Sequence, residues 1–514
     1  MTDHGDELAR GGKRALDRLL RRTPIYAALL ACIGLAMAYS NSTADGEVLQ
    51  SGTTFTRGLM WAVVAVVGGV VYPAVVQSLV VKPNQRDKEA EYIAYNIEAT
   101  RHALGIDNVE VRSVDFGSLD RASVASNVAA LQDVRLIKPD IEMEDLFRNQ
   151  QGDPGRTIDD LDPDRYEIDG QLRQVVVGAR ELDLEQVGNK SWQGTHLINT
   201  HGCGLQVAMA GRMTSTGNPV YRDDVVGLTR PQLYFSPSLS GYAILKTSVE
   251  EQGCDGQTSA QSYQGDAGIQ LNSLTRRIAL ALNEWDYNII GSSAVTDESR
   301  FIEVRDVRER VKSVAPFLAL DNDPYPVVVD GRILWVIDGY TTSDRYPYGQ
   351  FADRTQLQSG SGLDHPFNYV RNSVKATVDA YDGSITLYAV DDADPILRVW
   401  RSAFPDLFTP RAEMPKGLVD HLRYPEELFR VQTSAYSKYR LEASDFFDRR
   451  GAWSVALAPP ERFTVRADWK SGAENFCGDA YHVGTTHYSA TLSGLIPGDV
   501  RETGPNAHGF LFDN

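Results

Sequence analysis

Apolar positions along this chain follow two periods, one suited to strands and one to helices. Residues 327–329 and 333–337 are β-branched runs on either side of Asp330-Gly331. That spacing predicts a hairpin closed by a two-residue type I′ turn, which needs φ > 0 at both central positions. Pro324 and Pro326 stay on the approach, where a missing N–H does least harm. After the second run the chain turns polar and aromatic from Tyr340 to Tyr346, which predicts a loop delivered to a surface. A second hairpin is predicted downstream. Val374, Ala376, Val378 and Ala380 alternate with Lys375, Thr377, Asp379 and Tyr381, and Asp382-Gly383 leads into 384–390. Such alternation describes a half-buried antiparallel pair. Shorter strands are predicted at 174–179, 196–200, 205–208, 232–235 and 242–247.

The helical period predicts elements at 84–104, 141–147, 272–284 and 301–314, then at 395–402, 417–423 and 425–439. In the first, Asn84 can cap, Asp87 suits the positive first turn, and Ile93, Ile97 and Leu104 share a face. In the third, Leu271, Leu274, Ile278, Leu282 and Trp285 recur at helical spacing. Strands followed by helices, with more than one hairpin, predict an α+β fold. We expect a large mixed soluble domain with antiparallel hairpins and several helices, attached to one or two N-terminal transmembrane helices. The longer apolar segment, 58–81, carries no charge and could cross a hydrocarbon core; the segment at 25–39 is shorter. The expected organisation is a basic segment at 1–24 and a membrane region at 25–82. A juxtamembrane helix and acidic loop follow at 83–170, then the main domain at 171–456 and a tail at 457–514.

Charge narrows the partners. The 514 residues carry a net charge of −18; residues 1–82 are net +2, so the remainder carries −20. A body this acidic repels phosphate backbones, which argues against nucleic acid as its main partner. Six basic residues between Arg10 and Arg22 favour a cytoplasmic N-terminus. Two crossings would then return the body to the cytoplasm and one would export it. Of four cysteines, Cys32 lies in an apolar segment and none forms a CxxC pair, which argues against a zinc ribbon. In an exported domain Cys203 and Cys254 are the candidate disulfide, with Cys477 left over.

Chemistry is only faintly marked. Residues 192–204, WQGTHLINTHGCG, hold His196 and His201 five apart, on opposite faces if the strand is extended. Gly202 and Gly204 could turn the chain or admit a ligand; the plainer alternative is a core histidine beside a bent strand. Cys203 would be a nucleophile only with support from His201. Asp321 and Asp323 are candidate ligands for a divalent cation, or simply turn caps. Asp159, Asp160, Asp162 and Asp164 are dense but lack the glycine and terminal glutamate of an EF-hand loop. Asp338 and Asp344 could form an acid–base pair. Arg345 beside Tyr346 and Tyr348 suits a sugar, carboxylate or phosphate. Nucleophile elbow, Walker loop, dinucleotide fingerprint and HExxH helix are all missing from the sequence.

Several long stretches resemble the bacterial membrane proteins grouped as uncharacterised protein family 0182, across about residues 68–456. They include YIAYNIEATRHALGI at 92–106, WQGTHLINTHGCG at 192–204, and VAPFLALDNDPYPVVVDGRILWVIDGYTTSDRYPY at 314–348. NYVRNSVKATVDAYDGSITLY at 368–388 and HLRYPEELF at 421–429 continue the series. The resemblance implies a multi-span membrane protein with a large domain outside the cytoplasmic membrane. Three features depart from it: fewer N-terminal apolar segments, a cysteine at 203, and a dissimilar end beyond about 458. The combined expectation is a plasma-membrane protein whose extracytoplasmic domain binds envelope material or a partner membrane protein, without catalysis. Alternatives are an envelope glycan- or lipid-processing hydrolase or transferase using a divalent cation, and an accessory part of a channel or transporter. The expected partners are the lipid bilayer and other membrane or envelope proteins.

Overall fold

The computed structural model describes residues 72–112, 134–139, 141–151, 155–254 and 263–441, with short pieces at 61–62, 65–66, 69–70, 500–502 and 510–512. The chain divides into two units, Met1–Phe447 and Asp448–Asn514. In the second, Val500–Glu502 pairs antiparallel with Phe510–Phe512.

The first unit begins with helices α1 (Gln85–Ala103) and α2 (Ile141–Gln151). Strands β1 (Asp162–Ile168), β2 (Gln171–Ala179), β3 (Gly202–Cys203), β4 (Leu205–Met213) and β5 (Pro219–Tyr221) follow. Next come β6 (Gln232–Leu233), β7 (Ala243–Leu245), β8 (Ile269–Gln270), α3 (Leu274–Asn283), β9 (Arg300–Ile302) and α4 (Val307–Val314). The predicted hairpin then supplies β11 (Tyr325–Val329) and β12 (Arg332–Ser343), after a short β10 (Ala319–Leu320). Strands β13 (Tyr369–Asp379) and β14 (Ile385–Ala389), helix α5 (Pro395–Ala403), strand β15 (Phe408–Pro410), and helices α6 (Lys416–Val419) and α7 (Glu426–Tyr439) complete it.

A six-stranded sheet in the order β10-β12-β13-β14-β15 carries the domain, with β11 also paired to β12. Asp330 and Gly331 take φ of 50° and 73°, the left-handed pair a type I′ turn requires. Gly331 is also pressed against Thr229, so a side chain would be refused there twice over. A second sheet, β1-β2-β4-β5, and a third, β8-β9-β7, complete the framework. Val177, Val207, Leu233, Phe235, Trp335, Ile337, Ala376 and Val378 pack into one core between these layers. Most of the predicted elements form, and the mixed α+β architecture with antiparallel sheets stands.

Five local expectations need correcting. The loop expected from Tyr340 starts only past Ser343, because β12 runs on to that residue with Tyr340 and Thr341 buried. Residues 196–200 are not a strand: Gly194–Ile198 is one wide helical turn. Ser191 Oγ accepts from Gly194 N, and Asn199 closes the turn by donating from its N–H and its side chain to Gly194 O. The helix placed at 301–314 divides into β9 and α4, because the Asp306 carboxylate caps Arg308 N and Glu309 N and so starts the helix later. The acidic loop ends early, since Asp162 already opens β1 and alternates inward with Asp164, Tyr166 and Ile168. The second hairpin is buried on both faces. Lys375, Thr377 and Asp379, placed on its solvent side by the alternation, are each 5% exposed. Lys375 is paired there with Asp338, and Asp379 with Arg332.

Helix α1 is fastened to the body. Arg101 donates to Tyr439 O and Leu441 O, Asn96 to Tyr348 O, and Arg371 to Ala103 O. Leu104 and Ile106, just beyond its end, pack with Tyr340, Phe367 and Val431. No helix among the described residues is long and apolar enough to cross a membrane. The segment at 25–39 lies outside the described residues. Within 58–81 the chain is helical at Tyr72–Val76 and Gln77–Val81, and neither piece buries a residue.

Candidate functional site

The start of β1, the approach to β11 and the turn before α7 meet over an open cleft at the edge of the main sheet. Asp160, Asp162 and Asp323 bring carboxylate oxygens within 4.8 Å of one another there. Asp162 is 5% exposed and accepts from Arg423 Nη2 at 2.7 Å. The Arg423 guanidinium lies 3.7 Å from the Tyr325 ring centre, a desolvated cation–π contact. One adjoining cavity, of about 320 Å³, is lined by Asp321, Asp323, Tyr325, Asp338, Arg423 and Tyr424. A second, of about 690 Å³, contains Asp160, Asp162, Asp323 and Arg423 as well. The two share Asp323 and Arg423, so they are lobes of one cleft.

Electrostatics set its chemistry. Burial, then the charge of Asp160, pushes the Asp323 carboxyl up to about 8. Burial, then the charge of Asp162, lifts Asp160 to about 6, although the residue as a whole is exposed. Asp162 rises to about 7, because burial outweighs the pull of Arg423. Asp323 therefore donates a proton to Asp160, and the group titrates as a unit near neutral pH. Behind it, Asp321 accepts from Tyr340 Oη and from Asp323 N. Burial raises Asp338 while its ion-pair partner Lys375 opposes the shift, and Lys375 Nζ also donates to Arg423 O at 3.1 Å. Glu427, 2% exposed, is pushed to about 7 by burial and the Asp321 charge.

The donors fit a hard cation, since all three are carboxylate oxygens. Arg423 already holds one oxygen of Asp162, which leaves an ion fewer lone pairs and a repelling neighbour. The cleft can bind a cationic or hydrogen-bonding group, and a proton shared between carboxyls is the species its charges favour.

Other predicted residues lie elsewhere. His196 stacks on Tyr242 at 4.1 Å and its Nδ1 bonds Tyr242 O. His201 is buried with Nδ1 on Gly202 O; burial, with Arg156 and Arg305 nearby, lowers it to about 4. Cys203 is disulfide-bonded to Cys254 with Cα atoms 5.2 Å apart, so its sulfur is not a free nucleophile. Gly202 does allow a close approach, but of Arg180 O and not of a ligand. Asp338 and Asp344 cannot act as a pair: the first is buried on Lys375, whereas the second lies past the end of β12 and is 60% exposed at its side chain. Arg345 is 90% exposed beside Asp344. Asp321, Asp323 and Asp338 are the predicted residues that reach the cleft. Arg423, Lys375, Tyr325 and Glu427 carried no signal beyond their residue type, and Asp160 and Asp162 signalled only as part of a dense acidic run.

The bridge yields a stability prediction. Replacing Cys203 and Cys254 together by serine should cost about 2–4 kcal/mol. Urea denaturation of oxidised protein measures it, and the variant should lose the response to reductant that the parent shows.

Comparison with known proteins gives a consistent answer. The sequence signature of Uncharacterised protein family (UPF0182) matches residues 19–477. A UPF0182 protein of Salinispora tropica is 36% identical over 82% of this chain and 47% of its own length. One from Micrococcus luteus is 37% identical over 79% of this chain and 41% of its own. A third, from Frankia casuarinae, is 37% identical over 80% and 44%. The chain thus spans about half the length of the curated relatives it matches. No solved structure matches it.

Proposed function

We propose that this chain, which belongs to the uncharacterised protein family UPF0182, is a membrane-anchored, extracytoplasmic domain that binds envelope material or a partner membrane protein. One observation carries the anchoring. The apolar helical stretch from Tyr72 to Val81 buries none of its residues and runs by way of Lys82–Asn84 into α1. Water does not favour such a face; hydrocarbon does. Because α1 is fastened to the body through Arg101, Asn96 and Arg371, an anchor there would hold the whole domain. The side of the membrane is argued from the Cys203–Cys254 bridge, since disulfides persist in oxidising compartments.

The test is sidedness. In a background lacking Cys32 and Cys477, Thr275→Cys and Ser359→Cys place thiols at exposed positions. A membrane-impermeant maleimide should label both in intact cells as fully as in lysed ones. Labelling only after lysis would put the domain in the cytoplasm and end the reading.

A second reading, an envelope hydrolase assisted by a divalent cation, has one observation in its favour. Asp160 and Asp323 sit together with carboxyls displaced to about 6 and about 8, the kind of split that separates a base from an acid. The open cleft beside Arg423 and Tyr325 would admit a substrate to them.

A further inference from the structure

A second cavity, of about 960 Å³, lies between α1 and the loop that follows β12. Its wall on the helix side carries Tyr95, Glu98 and His102; Tyr346 and Tyr348 face them. Both walls are fixed. Asn96 Nδ2 donates to Tyr348 O at 2.7 Å, and Asn368 accepts from Tyr346 N while donating to Tyr346 O and Gly349 O.

Two features set this groove apart. Tyr348 has φ of 59°, a left-handed conformation that is costly for a large side chain. Tyr348 is 70% exposed, with its ring 6.4 Å from that of Tyr95, a residue 47% exposed. His102 is oriented through Nδ1 by Asp107 at 2.9 Å, which leaves Nε2 for another partner. Exposed aromatic faces held in place beside an oriented imidazole and carboxylates match a sugar ring. Its polarised C–H face lies on the negative π face while its hydroxyls use the polar rim.

Charge decides between sugar and phosphate. Arg101, the cation in the lining, spends Nε and Nη2 on Tyr439 O and Leu441 O. Glu98 and Asp107 would repel a phosphate. We propose that this groove is a binding site for a neutral or amino-bearing carbohydrate chain, held by Tyr95, Tyr348 and His102. The proposal rests on the envelope-facing reading only for the source of the sugar, so binding in vitro and sidedness in cells fail separately.

Saturation-transfer difference NMR on the full chain in lipid nanodiscs tests it, with N-acetylglucosamine tetramer and maltotetraose as probes and glycerol 3-phosphate as the headgroup control. At least one tetrasaccharide should show saturation of its ring protons. The signal should fall at least about fivefold in Tyr95→Ala and in Tyr348→Ala, and stay unchanged in Thr275→Ala, at an exposed position on α3. Tyr348→Gly removes the ring while relieving the positive φ, so it should lose the signal with no fall in Tm. Silence from both sugars, a signal indifferent to Tyr348→Gly, or a tyrosine-dependent signal from glycerol 3-phosphate alone would each overturn the proposal.

Discussion

Lys375→Met is expected to destabilise the domain by about 3–5 kcal/mol. Lys375 and Asp338 face each other from neighbouring strands β13 and β12, with side chains only 6% and 5% exposed. Removing the ammonium leaves a carboxylate in the sheet's covered face without its counter-charge, and it also removes the donor to Arg423 O that steadies the cleft. The missing partner is what costs, not the pair's own worth. The double variant Asp338→Asn with Lys375→Met should therefore recover most of the loss. Chemical denaturation of the four proteins in this cycle measures it. Single and double variants of equal stability would show that the pair is screened by water.

Stability should also fall as pH rises from about 4 to 8, the reverse of the usual carboxylate case. Asp160, Asp162 and Asp323 lie at about 6, 7 and 8 in the folded chain, against about 4 in an unfolded one. Between these limits the folded state binds more protons than the unfolded state. Its advantage is complete below about pH 4 and is lost as pH passes through the folded values. Each unit of displacement is worth about 1.4 kcal/mol, with solvent screening reducing the share of exposed Asp160. Asp323→Asn should flatten that slope and stabilise the domain at pH 8 by about 1–3 kcal/mol. Thermal denaturation at pH 5, 6.5 and 8 follows both effects. Millimolar calcium at pH 8 should substitute for the missing proton and raise Tm in the parent but not in Asp323→Asn. A Tm indifferent to calcium would remove the cation from this cleft and, with it, the metal-assisted reading.

Much of the architecture was legible because its signals are local. Asp330-Gly331 and Asp382-Gly383 name their turns, and both hairpins form around them. Pro395 after Asp394 starts α5, with the Asp394 carboxylate accepting from Ile396 N and Leu397 N. The failures are those of pattern without partners. Residues 196–200 read as a short strand, yet a side-chain closure at Ser191 and Asn199 curls them into a helical turn. Lys375 and Asp379 read as solvent-facing because nothing in the alternation reveals Asp338 or Arg332 opposite them.

Helix α3 shows the same limit from the other side. Leu274, Ile278, Leu282 and Trp285 mark a helix correctly, but they are 63%, 40%, 63% and 89% exposed. The helix packs through Ala281 and the partly buried Leu280, so only the edge of its apolar stripe meets the core. Periodicity reports that a helix has an apolar side; how much of that side meets the core depends on what stands beside it.

By itself the sequence determined the class of fold, the two hairpins, most helices, the acidic character of the body and the family resemblance. All of these follow from turn chemistry, period and charge within short windows. Only the tertiary structure decided that Asp160 and Asp162 join Asp323 beneath Arg423, that Asp338 answers Lys375, and that Tyr95 on α1 faces Tyr348 beyond β12. These partners stand tens to hundreds of residues apart, and a carboxyl's proton affinity depends on burial and neighbours that exist only once the sheets have closed around it.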